Sequence, residues 1–162
     1  MGVELYRIDD RLIHGQVVVG WGQPMRLGFI ALVDDDVASS EWEQELYRMG
    51  VPPEMDVYFA TVEQAATELE KWNADPRPGI LLTGDIDTMA RLIGRYPDIR
   101  TVNIGGLHHR EGRGICLRYV YLTPDEQAAL RSLQQQGVVV TAQDVPSARP
   151  MALEDVLEHG RK

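Results

Sequence analysis

GILLTGDIDTMARLIGRYPDIRTVNIG, residues 79–105, sets two short apolar runs on either side of a helical pattern. GILLT and TVNIG have the length and the Ile, Val and Thr content of single strands, with turn formers after each. TMARLIGRY between them has helical spacing, and Pro97 would stop it because proline cannot continue an α-helix. Asp87 is the expected cap. Two strands joined by a helix of this kind are the unit of a parallel sheet.

The same alternation extends in both directions. VELYRI (3–8), GFIALV (28–33), DVYFAT (56–61), CLRYVYL (116–122) and VVVTA (138–142) read as further strands. Thr61 with Gln64, and Thr123 with Glu126, match capping boxes, the second with Pro124 at the favoured first helical position. In SSEWEQELYRMG (39–50), Trp42, Leu46 and Met49 recur at spacings of four and three, so they are expected in the core of a helix ended by Gly50. NADPRPG (73–79) is a helix-to-strand loop. LEDVLEHGRK (153–162) reads as a short terminal helix that frays. The expectation is an α/β fold: an open, mostly parallel twisted sheet of about six to seven strands, with helices on both faces.

With 162 residues, 44% of them hydrophobic and 25% charged, the chain suits a single domain spanning 1–162. Its net charge of −9 argues against nonspecific binding to nucleic acid or to anionic membranes, so any phosphate site must be a local basic spot. Arg7, Asp9, Asp10 and Arg11 interrupt any early apolar region, so no signal peptide is expected there. No apolar run approaches the roughly 20 residues of a membrane span, so direct insertion is not expected. Lone Cys116 allows no intramolecular disulfide and reads as a small buried hydrophobe in a reducing cytoplasm.

Ligands of open α/β sheets bind beyond the carboxyl ends of the strands. That rule selects DDRLIHG (9–15), DDD (34–36), TGD (83–85) and GGLHHREG (105–112). In the first, His14 can act as a nucleophile near neutral pH. Phosphoryl transfer to it would need a cation, nearby N–H donors and a partner to fix the tautomer. Arg11 offers a guanidinium fork, Asp10 a proton acceptor, Gly15 close backbone approach, and a helix starting near Gly15 an anion site. A merely solvated histidine is the ordinary alternative.

The remaining motifs are open to two readings. Asp34, Asp35 and Asp36 are a helix cap with solvated acids, or a Mg2+ and aspartyl-phosphate cluster as in a receiver domain. The latter wants a lysine near a later strand end, and neither Lys71 nor Lys162 is well placed. His108, His109 and Glu111 complete no zinc spacing, so no metal is expected. GGLHH can border the pocket through the Gly105 and Gly106 amides or be a plain turn. Asn103 is a phosphate donor or a sheet-end hydrogen bond, and Trp21 is helical core or lines the reactive loop or a partner surface.

RIDDRLIHGQVVVGW (7–21) resembles the N-terminal signature of the IIB component of the mannose/fructose/sorbose class of the bacterial sugar phosphotransferase system. The similarity continues through VDDDVA (33–38), NIGGLHHREG (103–112) and VVVTAQDVP (138–146), and so covers nearly the whole chain. It implies a cytoplasmic phosphotransferase, peripheral to the inner membrane through its partners. His14 would accept a phosphoryl group from a IIA phosphohistidine, through Nδ1, and pass it to a sugar entering through the IIC and IID membrane components. Arg11 would stabilise the group and Asp10 would orient the loop or ring. Gly15, Gln16, Asp35, Asn103, Gly105 and Gly106 are the pocket candidates. No cofactor is implied beyond the transient phosphohistidine. IIA would dock on an arginine-bearing patch, with Arg7, Arg11 and Arg26 as candidates. The alternative is a regulatory phosphohistidine module of the same fold with no permease. No exposed apolar stripe indicates a dimer.

Overall fold

Residues 29–33, FIALV, are buried along their whole length: Phe29, Ala31 and Val33 belong to one core, Ile30 and Leu32 to a second. A strand apolar on both faces requires a helical layer on each side of its sheet. The computed structural model, which describes residues 2–160, has that arrangement. Its strands are β1 (Gly2–Ile8), β2 (Phe29–Val33), β3 (Asp56–Ala60), β4 (Pro78–Thr83) and β5 (Thr101–Ile104), then β6 (Gly114–Leu117), β7 (Val120–Leu122), β8 (Val139–Ala142) and β9 (Met151–Ala152). Seven form one sheet in the order β3-β2-β4-β1-β5-β8-β9, parallel except for β9.

A π-helical segment (Gln16–Trp21), α1 (Gly22–Met25), α2 (Asp35–Ala38) and α3 (Glu41–Met49) follow β1 and β2. They cover the face holding Ile13, Val17, Val18, Ile30, Leu32, Ile80 and Leu82. The larger core, on the opposite face, lies under α4 (Val62–Asn73), α5 (Ile86–Arg95), α6 (Pro124–Gln135) and α7 (Leu153–His159). Both expected capping boxes form, Thr61 with Gln64 and Thr123 with Glu126. Cys116 is buried, which raises its thiol pKa, and it is a packing residue.

Four expectations need correction. Asp85, not Asp87, caps α5: its carboxylate accepts from the Thr88 amide at 2.7 Å, while Asp87 lies inside the first turn. The cap must sit outside the helix, three residues before the amide it accepts from, and only Asp85 does. CLRYVYL is not one strand. It turns at Arg118 and Tyr119, and β6 and β7 pair antiparallel as a separate two-stranded sheet. The terminal helix does not fray over its described part: Leu153, Val156 and Leu157 are buried, and His159 Nδ1 donates to the Cys116 carbonyl at 2.9 Å.

The fourth concerns α3. Trp42 and Met49 are 72% and 80% exposed and Leu46 49%, so the expected core stripe faces outward. Tyr47 packs inward against Phe59, and the Gln44 amide donates to the Val37 and Ala38 carbonyls. Spacing identifies an apolar helix face but does not say whether that face meets the sheet. Lys162 lies outside the described residues.

Candidate functional site

β1 lies between β4 and β5 near the middle of the sheet. After β1 the chain moves toward β2 and β3, and after β5 it moves toward β8, so the two connections diverge and leave a crevice at their carboxyl ends. The loops at 9–15 and 105–113 flank it. They are stitched to each other and to β4: Asp9 N–H donates to the Thr83 carbonyl at 2.9 Å, Asp10 N–H to that of Gly106 at 2.8 Å, and Gly105 N–H to that of Ile8 at 2.7 Å.

Below the loops a charged cluster is shut away from water. Arg7 and Asp9 are both fully buried, with Arg7 Nη2 and Asp9 Oδ2 3.7 Å apart. Arg7 Nη1 donates to Asn103 Oδ1 and to the Gln143 carbonyl at 2.9 Å, and Nη2 donates to the Asp144 carbonyl at 3.1 Å. Its guanidinium carbon sits 4.6 Å from the Trp21 ring centroid, so Trp21 is both core and the floor of the site. Burial pulls the Arg7 guanidinium pKa down, and the Asp9 charge opposes that. For Asp9, burial would raise the carboxyl. The contact with His14, the Arg11 amide and the Arg7 charge together outweigh it and hold the group below its ordinary value.

His14 stands above this cluster with 17% of its side chain exposed. Nε2 is 3.3 Å from Asp9 Oδ2, an electrostatic contact whose alignment falls short of a hydrogen bond. Nδ1 accepts from the Gln16 backbone amide at 3.2 Å. An N–H donor at Nδ1 and a carboxylate at Nε2 favour the tautomer with the proton on Nε2 and the lone pair on Nδ1. The His14 carbonyl accepts from both the Val17 and Val18 amides, at 3.0 and 2.9 Å, where the π-helical segment begins. Arg11, 43% exposed on its side chain, reaches over this helix start and donates from Nη2 to Gln16 Oε1 at 2.5 Å. Leu12 has φ 59, a left-handed conformation costly for a side chain of its size, and packs over Gly84, where a Cβ would lie 2.9 Å from Leu12 Cδ2.

The other candidate residues fall in varied places. Asp10 does not touch the His14 ring: its carboxylate accepts from His108 N–H and pairs with His108 Nδ1, both at 2.7 Å, so Asp9 takes the ring position instead. Gly15 has φ −54 and open space where a Cβ would be. Asn103 is buried: its Oδ1 accepts from Arg7, and Nδ2 donates one of its two hydrogens to Gln143 Oε1 at 3.2 Å, so its amide is turned toward the charged cluster. The Gly105 amide is likewise engaged by β1, and a Cβ there would strike the Arg7 guanidinium and the Asp9 carboxylate. A Cβ on Gly106 would lie 2.8 Å from His108 Cε1. Both glycines make room for side chains.

Asp35 accepts from the Val62 amide at 3.0 Å and from Arg91 Nη2 at 3.1 Å, contacts that hold its carboxyl below the ordinary range and tie it to α4 and α5. Asp34 caps α2. His109 stacks edge-on against Tyr121, apart from His108. Arg7 is buried and cannot meet a partner. Arg26 ends α1 just before β2 starts, at the opposite end of the sheet from His14. Of the three arginines proposed for docking, Arg11 alone is both at the site and exposed.

Sequence reasoning missed the roles of Asp9, Arg7 and Arg113. A signal for the first two was present: Arg7 and Asp9, two apart at the end of an apolar strand, share one face of it, and charges placed so within a core strand must pair. Arg113, also buried, carries no such local sign.

Residues 3–162 match the family model of the PTS system sorbose subfamily IIB component. The chain is similar to the N-acetylgalactosamine-specific phosphotransferase enzyme IIB component 1 of Escherichia coli, with 34% identity covering 93% of this chain and 96% of the relative. It is also similar to the sorbose-specific EIIB component of Klebsiella pneumoniae, again at 34% identity, over 91% of this chain and 90% of the relative. The crystal structure of the IIBSor domain of the sorbose permease from Klebsiella pneumoniae superposes with a TM-score of 0.87 at 30% identity, over 98% and 97% of the two chains. With the family match running over almost its full length, the chain belongs to the sorbose-subfamily IIB components of the sugar phosphotransferase system.

Proposed function

We propose that His14 is a phosphocarrier that takes a phosphoryl group on Nδ1 from a phosphohistidine of a IIA partner. It then hands the group to a sugar entering through IIC and IID membrane components. The observation that carries this reading is the pair of contacts on the two ring nitrogens: the Gln16 amide at Nδ1 and the Asp9 carboxylate beside Nε2.

Nδ1 attacks the phosphorus, the P–N bond to the donor imidazole breaks, and the donor ring leaves neutral. The proton stays on His14 Nε2, so the ring becomes positive as the new P–N bond forms, and the buried Asp9 carboxylate stabilises that charge. The Gln16 amide then meets a phosphoryl oxygen in place of the lone pair, and Arg11 supplies a second donor from the rim. Bonds of one kind are exchanged for bonds of the same kind, so alignment is the main demand on the protein.

Among the described residues no helix is long and apolar enough to cross a membrane, so in this reading the sugar's path lies in the partners, on the cytoplasmic side of which the chain works. The test is transfer from radiolabelled phosphoenolpyruvate through the general phosphotransferase proteins and a mannose-class IIA. An acid-labile, hydroxylamine-resistant label on the wild type, absent from a folded His14→Ala variant, is the expected result. A label that survives the substitution moves the acceptor elsewhere, and no label from an active IIA removes the reading.

A further inference from the structure

We infer that Asp10 and His108 form a clasp that positions the reactive loop, which makes His108 a positioning residue for transfer at His14. This rests on the reading of His14 as the acceptor.

One residue supplies two donors to one carboxylate. The His108 backbone N–H donates to Asp10 Oδ2 and its ring Nδ1 reaches Oδ1, each at 2.7 Å, so the ring nitrogen must carry the proton. The Asp10 side chain is only 8% exposed while the His108 side chain is 49% exposed, so the carboxylate is shielded and takes these charge-assisted bonds from a donor at the rim.

His108 is itself held from behind. Its carbonyl accepts from Arg113 Nη1 at 2.9 Å. Arg113 is buried and grips Glu126 with two parallel bonds, Nε to Oε1 at 2.8 Å and Nη2 to Oε2 at 2.7 Å. Glu126 Oε1 also accepts from the Thr123 amide at 2.9 Å, as the reciprocal half of the α6 capping box. A continuous chain of bonds therefore runs from the rigid start of α6 through Arg113 and His108 to Asp10. Asp10 adjoins Asp9, so fixing Asp10 fixes the backbone from which the Asp9 carboxylate reaches His14. No contact joins His108 to His14, and its effect passes through Asp10. Gly106 serves the same arrangement, since a side chain there would occupy the place of the His108 ring.

The test measures single-turnover phosphoryl transfer from phosphorylated IIA to the full chain, across IIA concentrations, for wild type, His108→Ala and His108→Asn. Asparagine keeps a side-chain N–H where Nδ1 stands and can still bond Asp10. His108→Ala is expected to lower the saturating rate by about 10-fold or more, in keeping with the roughly 10²-fold cost of an ångström of misplacement, while half-saturation by IIA stays within about two-fold. His108→Asn is expected to recover most of that loss. A wild-type rate for His108→Ala, equal losses in both variants, or a change confined to half-saturation overturns the proposal. Nitrogen-15 spectra of the wild-type imidazoles give a check that needs no variant: the proton of His108 must sit on Nδ1, and an unprotonated Nδ1 overturns the clasp. A wild type that takes no label from active IIA removes the His14 reading and this one with it. A wild type that transfers while the histidine variants match it removes the clasp alone.

Discussion

Asp9 Oδ2 lies 3.3 Å from His14 Nε2 although Asp9 has no exposed side-chain surface and His14 opens to solvent. The buried acid thus faces the nitrogen opposite the one the Gln16 amide marks out. It also stands 3.7 Å from Arg7, so one carboxylate lies between the His14 ring and a buried cation.

Replacing Asp9 by Asn tests both duties. Loss of the charge that stabilises the imidazolium should slow transfer to His14 by about 10²-fold or more, the scale of removing a positioned acid–base partner. Leaving the Arg7 charge short of its counter-ion should cost about 3 kcal/mol, near the lower end for breaking a buried pair because Asn103 and two carbonyls still hold the guanidinium. Transfer kinetics and urea unfolding read the two effects separately. Unchanged transfer in a folded Asp9→Asn protein would assign Asp9 to stability alone.

The same carboxyl makes stability depend on pH. Its folded pKa is below the unfolded value of about 3.9, so the unfolded chain takes the proton first as pH falls. Stability from Asp9 is complete above about pH 5 and is lost as pH drops through the folded value. Glu126, whose burial would raise it but whose bonds with Arg113 hold it low, adds a loss of the same sign from an unfolded value of about 4.3. Urea midpoints measured between about pH 6 and 3 should fall for the wild type and fall less for Asp9→Asn and for Glu126→Gln.

Two glycines near the site should respond differently to alanine. Gly15 has a helical φ of −54 and nothing within 4 Å of where an alanine methyl would stand, so Gly15→Ala should leave thermal stability within a degree or two, about the effect of a neutral surface change. Gly105→Ala places a methyl against Arg7 and Asp9 and should destabilise by about 1–3 kcal/mol or more, as overpacking does. Thermal melts of the two variants side by side are the check, and equal melting would contradict the packing around Gly105.

Trp42 and Trp72 offer a like contrast between surface and core. Trp72 is 5% exposed and stacks on Tyr58 at 5.9 Å, so Trp72→Ala should cost about 3–5 kcal/mol. Trp42→Ala, on the outer face of α3, should shift stability by no more than about 0.5 kcal/mol. Chemical denaturation of each variant distinguishes them. A large loss at Trp42 would mean that α3 packs the other way round.

Much of this molecule is legible along the chain. The strand runs, the alternating helices and both capping boxes depend on backbone preference and on bonds spanning three residues, so the residues involved carry the information themselves. The place of the candidate loop is legible for a related reason: it follows the first strand directly, at the carboxyl end where such sheets place their ligands. The errors have one origin as well. Asp87 for Asp85, a single strand for a hairpin, and a core stripe for an exposed one all come from patterns that two structures satisfy equally well locally.

The sequence alone therefore settled the fold class and the order of its units, and it put forward His14 as the candidate acceptor. Which acid faces that histidine was decided only when the sheet set β1 beside β5. That pairing, with β8 on the far side of β5, brings Asn103 and residues 143 and 144 around Arg7, buries Asp9 with it, and carries His108 over to Asp10. Asp9 and Asp10 are adjacent and chemically identical, and both lie just past the end of β1, where the chain turns. Their roles diverge because one points into the core and the other toward a loop nearly a hundred residues away, a distinction that exists only once the chain has closed on itself.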